Sequence, residues 1–204
     1  MMFRTTGRLI LASSSPRRRL FLSNLGLKFE VITADLDELP VFEETPHEFV
    51  SRISMEKCMN VASVCRDGTI LGADTVVVLD GEILGKPADR ESAKAMLKRL
   101  SGRWHEVWTG FCIFNRSQAV TVQQVVKTDV LFSRLTDKVC DAYVKTGEPM
   151  DKAGAYGIQG VGGALVERIR GSYTNVVGLP LAEVVKELES LGVITPADES
   201  PNPF

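Results

Sequence analysis

The sequence predicts an α/β or mixed α+β layer protein, and three observations carry that prediction. Strand-like and helix-like patterns alternate along nearly the whole chain. The strand-like runs, such as Leu9–Ala12 (LILA) and Thr69–Leu79 (TILGADTVVVL), are apolar or β-branched. The helix-like runs begin at capping residues and stop near glycine. At 204 residues the chain suits one domain or two tightly joined lobes, with ample length for a sizeable core.

Leu9–Ala12 reads as a short buried strand. Ser15 and Pro16 then open a helix as N-cap and first helical residue, with Leu20, Phe21, Leu22 and Leu25 as its apolar face and Gly26 as its stop. A strand near Phe29–Ile32 follows. Thr45 and Glu48 have capping-box spacing and open a long helix to about Cys65. Thr69–Leu79 looks like a central strand, turned at Asp80-Gly81. Asp89 caps a helix whose stripe is Ala93, Met96, Leu97 and Leu100, closed before Gly102. Two long β segments, Glu106–Phe114 and Val120–Phe132, pair across the Asn115–Gln118 turn. Thr136 starts a helix through Val144, and the glycine-rich GAYGIQGVGG leads into a strand at Ala164–Ile169. The last helix, Leu181–Leu191, repeats apolar residues at Leu181, Val184, Val185, Leu188 and Leu191. From Thr195 the text PADESPNPF has no periodicity, so residues 1–194 are read as the folded domain and residues 195–204 as a disordered tail.

Composition excludes several classes. Lys+Arg total 24 against 26 Asp+Glu, a net charge of -2, which argues against a general nucleic-acid binder. No apolar run reaches the ~18 residues of a membrane span, and Leu9–Ala12 is too short for a signal-peptide core. The four cysteines (Cys58, Cys65, Cys112, Cys140) show no C-x-x-C pairing, which predicts buried, reduced thiols of a cytoplasmic protein rather than a metal or disulfide framework.

Chemistry concentrates in the first strand–turn–helix, LILASSSPRRR. Arg17 and Arg18 fall in the first helical turn beside the positive end of the helix dipole, a placement that an anion would relieve. Free N–H groups, serine hydroxyls and guanidinium groups suit phosphate, and the turn follows a strand's C-terminal end, where α/β ligands collect. The alternative is that the arginines are solvated and Ser15 merely caps. Asp74 interrupts an otherwise apolar strand, so it needs a cation, a metal or a donor network, whether for function or as a structural acid. Lys57, four residues from both Ile53 and Val61, lies on its helix's apolar stripe, either to snorkel or to meet phosphate in a cleft. Asp37 and Glu38 form an acidic pair, readable as magnesium ligands or as an exposed loop. GAYGIQGVGG fits neither the dinucleotide fingerprint nor the Walker loop. It is a turn-rich connection or a close approach to a ligand, with Gln159 able to read a base edge. His47 and His105 lack a neighbouring nucleophile motif and read as non-catalytic.

LILASSSPRR, GADTVV, GKP, LSG, GEPMDKAGAYGIQGVGG and NVVGLPL together resemble the Maf family of nucleoside triphosphate pyrophosphatases, from about Leu9 to about Leu191. The resemblance implies layers like those of inosine triphosphatase around a mixed, twisted sheet, two lobes with a cleft between them, and a homodimer. It implies hydrolysis of a nucleoside triphosphate to the monophosphate and pyrophosphate with a divalent cation, Mg2+ or Mn2+. Asp74 matches the general base of the GADT motif. Arg17, Thr75 and Gln159 match positions that govern substrate choice. Ser13 and Ser15 match the serines of the phosphate turn, Lys57, Lys86 and Lys152 basic positions that contact phosphates, and Glu38 an acid near the metal; Arg18 joins the phosphate set. Relatives similar to 7-methyl-GTP pyrophosphatases carry tryptophan after S-P, S-D-Q for A-D-T and S-E-G for I-Q-G. With Arg17, Thr75 and Gln159, this chain is similar to the dTTP/UTP branch instead. The rival expectations are a house-cleaning enzyme for modified nucleotides, a nucleotide-sensing regulator of cell division, and a structural partner protein. The expected partner is a small nucleotide, with neither nucleic acid nor membrane.

Overall fold

The computed structural model describes residues 1–33, 36, 38, 39 and 41–197. Asp37, and the part of the expected tail from residue 198 on, lie outside the described residues. Nine strands and six helices are described: β1 (Phe3–Thr5), β2 (Leu9–Ala12), α1 (Pro16–Asn24), β3 (Glu30–Val31), α2 (Pro46–Val64), β4 (Thr69–Leu79), β5 (Glu82–Leu84), α3 (Arg90–Leu100), β6 (Trp104–Asn115), β7 (Val120–Phe132), α4 (Asp137–Lys145), β8 (Val166–Arg170), α5 (Tyr173–Val177), α6 (Leu181–Ser190) and β9 (Ile194–Pro196). The α/β class holds, with a mixed sheet. β3, β2 and β4 run parallel, whereas β4, β6, β7 and β8 are successively antiparallel. The order is β3-β2-β4-β6-β7-β8, and β5 turns back on β4.

Helices α1–α5 begin where side chains satisfy their free N–H groups, whereas α6 follows Pro180 without such a cap. Ser15 accepts from Arg18 N with Pro16 following, and Thr45 and Glu48 form the full capping box. Asp89 and Thr136 cap α3 and α4 in the same way. The apolar face expected for α1 is narrower than its composition suggests: Leu22 is fully buried, whereas Leu20 is exposed. Thr195 and Pro196, expected in the tail, belong instead to a strand, because Ile194–Pro196 pair antiparallel with Phe3–Thr5. The strand expected at Ala164–Ile169 begins at Val166, since Val161–Leu165 form a 3₁₀ turn.

The core has a division that places the site. On one face of β4, Leu71 and Ala73 pack with Leu22 of α1 and Val184 and Leu188 of α6. Further along that face, Val77 and Leu79 join Leu97 of α3, Val144 of α4 and Phe132 of β7 in a second cluster. Thr75 lies between the two. The other face carries Ile70, Val76 and Val78 under α2, whose Phe49, Val50, Ile53, Cys58 and Val61 are buried against it. All four cysteines are buried, unpaired thiols. Among the described residues, no helix is long and apolar enough to cross a membrane.

One edge of β4 is interrupted. β6 pairs with β4 from Thr69 to Val78 on one side. On the other, β2 covers Thr69–Gly72 and β5 covers Val77–Leu79, leaving Ala73–Val76 with no neighbouring strand. Asp74 and Thr75 fall in that window, directly beyond the end of β2.

Candidate active site

A cleft of about 600 Å³ opens at this window. Ser13, Ser15, Arg17, Arg18, Glu38, Lys57, Asp74, Thr75, Lys86, Lys152 and Gln159, all candidates from the sequence, line it. They arrive from separate elements. The turn after β2 and the start of α1 bring the serines and arginines, α2 brings Lys57, β4 brings Asp74 and Thr75, and the segment after α4 brings Lys152 and Gln159.

Asp74 is buried, and its Oδ1 lies 2.7 Å from Lys57 Nζ. The same ammonium lies 2.7 Å from Glu38 Oε1. Of the two readings of Lys57, snorkelling to solvent is therefore excluded: the side chain is buried and bridges two carboxylates. Burial alone would penalise the charges of Lys57 and Asp74, and their pairing, with the exposed Glu38 as a further partner, offsets that cost. The contact depends on how closely α2 lies on the sheet. A side chain at Gly72 of β4 would meet Ser54 O at 2.6 Å and Cys58 N at 2.9 Å, and one at Gly110 of β6 would run into Val50 O. Gly110 is the register partner of Asp74.

On the opposite face of β4, Arg18 is almost fully buried. Its Nε donates to Gly178 O at 2.7 Å, one terminal nitrogen to Ser13 Oγ at 3.1 Å, and the other to Thr75 Oγ1 at 3.0 Å. Burial holds the guanidinium below its usual pKa, and the Asp74 charge works against that shift. Arg18 thus fixes the serine turn after β2, β4 and the loop after α5 together, rather than standing free as a fork for a ligand. Thr75 Oγ1 also lies 2.9 Å from Thr109 Oγ1.

Arg17 points across the cleft, 3.6 Å from Asp151 Oδ2. Lys152 Nζ donates to Asp151 Oδ1 at 2.6 Å and to Glu148 O at 2.7 Å. Burial would raise the Asp151 pKa, but the hydrogen bond from Lys152 and the charges of Lys152 and Arg17 bring it below the ordinary carboxylate value. Lys86 and Gln159 are exposed on the rim.

Glu148, Asp151 and Tyr156 line the same cleft, although the sequence reading singled out none of them. Their only signal was membership of the GEPMDKAGAYG stretch, in which Lys152 drew the attention. His105 is buried beneath the cleft, with Nε2 2.8 Å from Tyr156 Oη. Among the described residues, no group of three or more His, Cys, Asp or Glu could hold a metal by itself.

The arrangement gathers cations and a helix N-terminus on one side of a buried carboxylate, which suits a polyanion presented to a proton acceptor. A family model described as Maf-like protein matches residues 8–191. The dTTP/UTP pyrophosphatase of Desulfotalea psychrophila is 50% identical over 194 residues, covering 95% of this chain and 100% of that one. The dTTP/UTP pyrophosphatase of Syntrophus aciditrophicus is 49% identical over 190 residues, covering 93% of each chain. Among solved structures, the Staphylococcus aureus Ham1 protein is similar at a TM-score of 0.44 and 15% identity, over 62% of this chain and 72% of that chain.

Proposed function

The chain belongs to the Maf-like protein family, and on that premise we propose that it is a hydrolase converting dTTP or UTP, with one water, to the nucleoside monophosphate and pyrophosphate. The observation that carries this reading is the Lys57 ammonium, 2.7 Å from both Asp74 and Glu38, set beside the serine turn and the arginines.

In this reading Asp74 accepts the proton of the attacking water. Lys57 holds Asp74 Oδ1 in place. Ser13, Ser15 and the start of α1 receive phosphate oxygens, with Arg17, Lys86 and Lys152 adding positive charge. Arg17 leaves Asp151 to do so. Arg18 acts behind them by fixing Ser13 and Thr75. Gln159 reads the O4/N3–H edge of the pyrimidine, one acceptor and one donor, while Arg17 and Thr75 complete the specificity set.

The donors also fit a divalent cation. Asp74 and Glu38 already converge on one positive centre, and both present the hard oxygens that Mg2+ or Mn2+ prefers. Two carboxylates with substrate phosphates and waters form an ordinary site for such an ion. When bound, it supplies charge neutralisation on the phosphates. The same reading takes the protein as a cytoplasmic homodimer, whose mass in light scattering would be twice that of the chain.

The decisive experiment is pyrophosphate release from a panel of canonical and modified triphosphates with Mg2+ or Mn2+. dTTP and UTP are expected to lead. Asp74→Asn is expected to bind nucleotide yet lose about 10²–10⁴-fold in turnover, the usual contribution of a general base. Near-normal release by that variant would overturn the role given to Asp74.

A further inference from the structure

We infer that Glu148 and Tyr143 form a clamp that positions Gln159 and so sets which base the site accepts. The inference rests on the reading of Gln159 as the base-contacting residue and adds to it the groups that hold it.

Gln159 sits on an exposed rim loop, where a free glutamine side chain would discriminate poorly. The backbone on both sides of it is nevertheless tied down. Gly157 N donates to Tyr143 Oη at 3.1 Å on the near side. On the far side Val161 N donates to Glu148 Oε2 at 3.0 Å and Gly162 N to Glu148 Oε1 at 3.1 Å. Tyr143 Oη closes the circuit by donating to Glu148 Oε1 at 2.9 Å. Only Ile158, Gln159 and Gly160 lie between the two anchors. N–H groups donating to a carboxylate make stronger bonds than neutral pairs. The hydroxyl comes from α4, packed in the core, so one of the loop's anchors stands on a helix.

The loop's glycines agree with this. A side chain at Gly160 would collide with Glu148 Oε2, and one at Gly162 would collide with Tyr143 Oη. Both glycines are thus required by the clamp itself, before any ligand is present. Glu148 also accepts Lys152 Nζ through its backbone carbonyl at 2.7 Å, so one residue registers the base-reading loop against a phosphate-side cation.

The test compares kcat/KM for dTTP and GTP in the parent protein, Glu148→Gln, Tyr143→Phe, Gln159→Ala, and the double variant Glu148→Gln/Gln159→Ala. Glu148→Gln places an amide where backbone N–H groups need an acceptor. Its dTTP-over-GTP preference is expected to fall about tenfold, chiefly through KM for dTTP rather than kcat. Tyr143→Phe is expected to shift in the same direction and serves if Glu148→Gln does not fold. Once Gln159 is gone, removing the carboxylate should cost no further preference, so the double variant should match Gln159→Ala. An unchanged preference in both Glu148→Gln and Tyr143→Phe, with preference lost in Gln159→Ala, overturns the clamp and leaves base reading intact. An unchanged preference in Gln159→Ala overturns base reading and the clamp together. Equal losses on dTTP and GTP in the clamp variants would mean simple loosening and would also overturn the inference.

Discussion

Lys57 and His105 are both buried titratable side chains, and the fold treats them in opposite ways. Lys57 is buried with two partners, carboxylates that each lie 2.7 Å from its Nζ. His105 is buried without a charged partner, its ring edge-on to Phe132 at 4.9 Å and to Tyr156 at 5.4 Å, and burial pushes its pKa down to about 4. The consequence for stability follows from sign. An unfolded histidine takes up a proton near pH 6.5, whereas the folded one resists until about pH 4. Between those values the unfolded chain binds more protons, so stability is full above pH 6.5 and declines as pH falls, by up to roughly 3 kcal/mol. His105→Phe keeps the ring contacts and removes the proton. Thermal melts of that variant from pH 7 to pH 5 should lose less stability than the parent's; parallel slopes would remove His105 as the cause. Lys57 and Asp74 each stood out in the sequence as a charge inside an apolar pattern. Their partnership did not, because nothing within one helix or one strand says which residues face each other across the layer.

α2 shows what settles that pairing. Its start was legible in Thr45 and Glu48, and its buried stripe in its apolar spacing. Its distance from the sheet was not, since that is set by the missing side chains of Gly72 and Gly110 on two different strands. Gly110→Ala would push a methyl group into the Val50 carbonyl and lift the helix that carries Lys57. Such overpacking costs about 1–3 kcal/mol. The urea midpoint of Gly110→Ala should fall accordingly, and pyrophosphate release should fall with it; full activity in a destabilised variant would show that the helix height is irrelevant to the site. Other elements escaped a local reading for a related reason. β1 and β9 are three-residue strands with no periodicity of their own, and they exist because Phe3–Thr5 and Ile194–Pro196 find each other across nearly the whole chain. The turn at Asp80-Gly81 was legible, but the strand β5 beyond it and the short α5 are likewise products of what they pack against.

At the scale of the molecule, net charge says little and placement says much. A chain of net charge -2 still gathers Arg17, Arg18, Lys57, Lys86 and Lys152 around one cleft, because local field and global sum are different quantities. The members of the cleft were legible as a set through their motifs. Their division of labour was not: Arg18 turned out to be engaged with protein acceptors, and Glu148 to organise a loop, both through contacts between distant segments. The window in the edge of β4 has one more consequence. Its residues lack a neighbour on one side only; the strand itself runs on into both hydrophobic clusters and pairs with β6 throughout. Asp74 therefore has no private mode of unfolding: its amide should exchange hydrogen only as the whole protein opens, whereas the amides of the Gln159 loop should exchange through local fluctuations. Denaturation should consequently dismantle the enzyme in order. At urea concentrations below the main transition, discrimination between dTTP and GTP is expected to blur first, with turnover of dTTP persisting until the fold itself gives way; simultaneous loss of both would show that rim and strand belong to one cooperative unit.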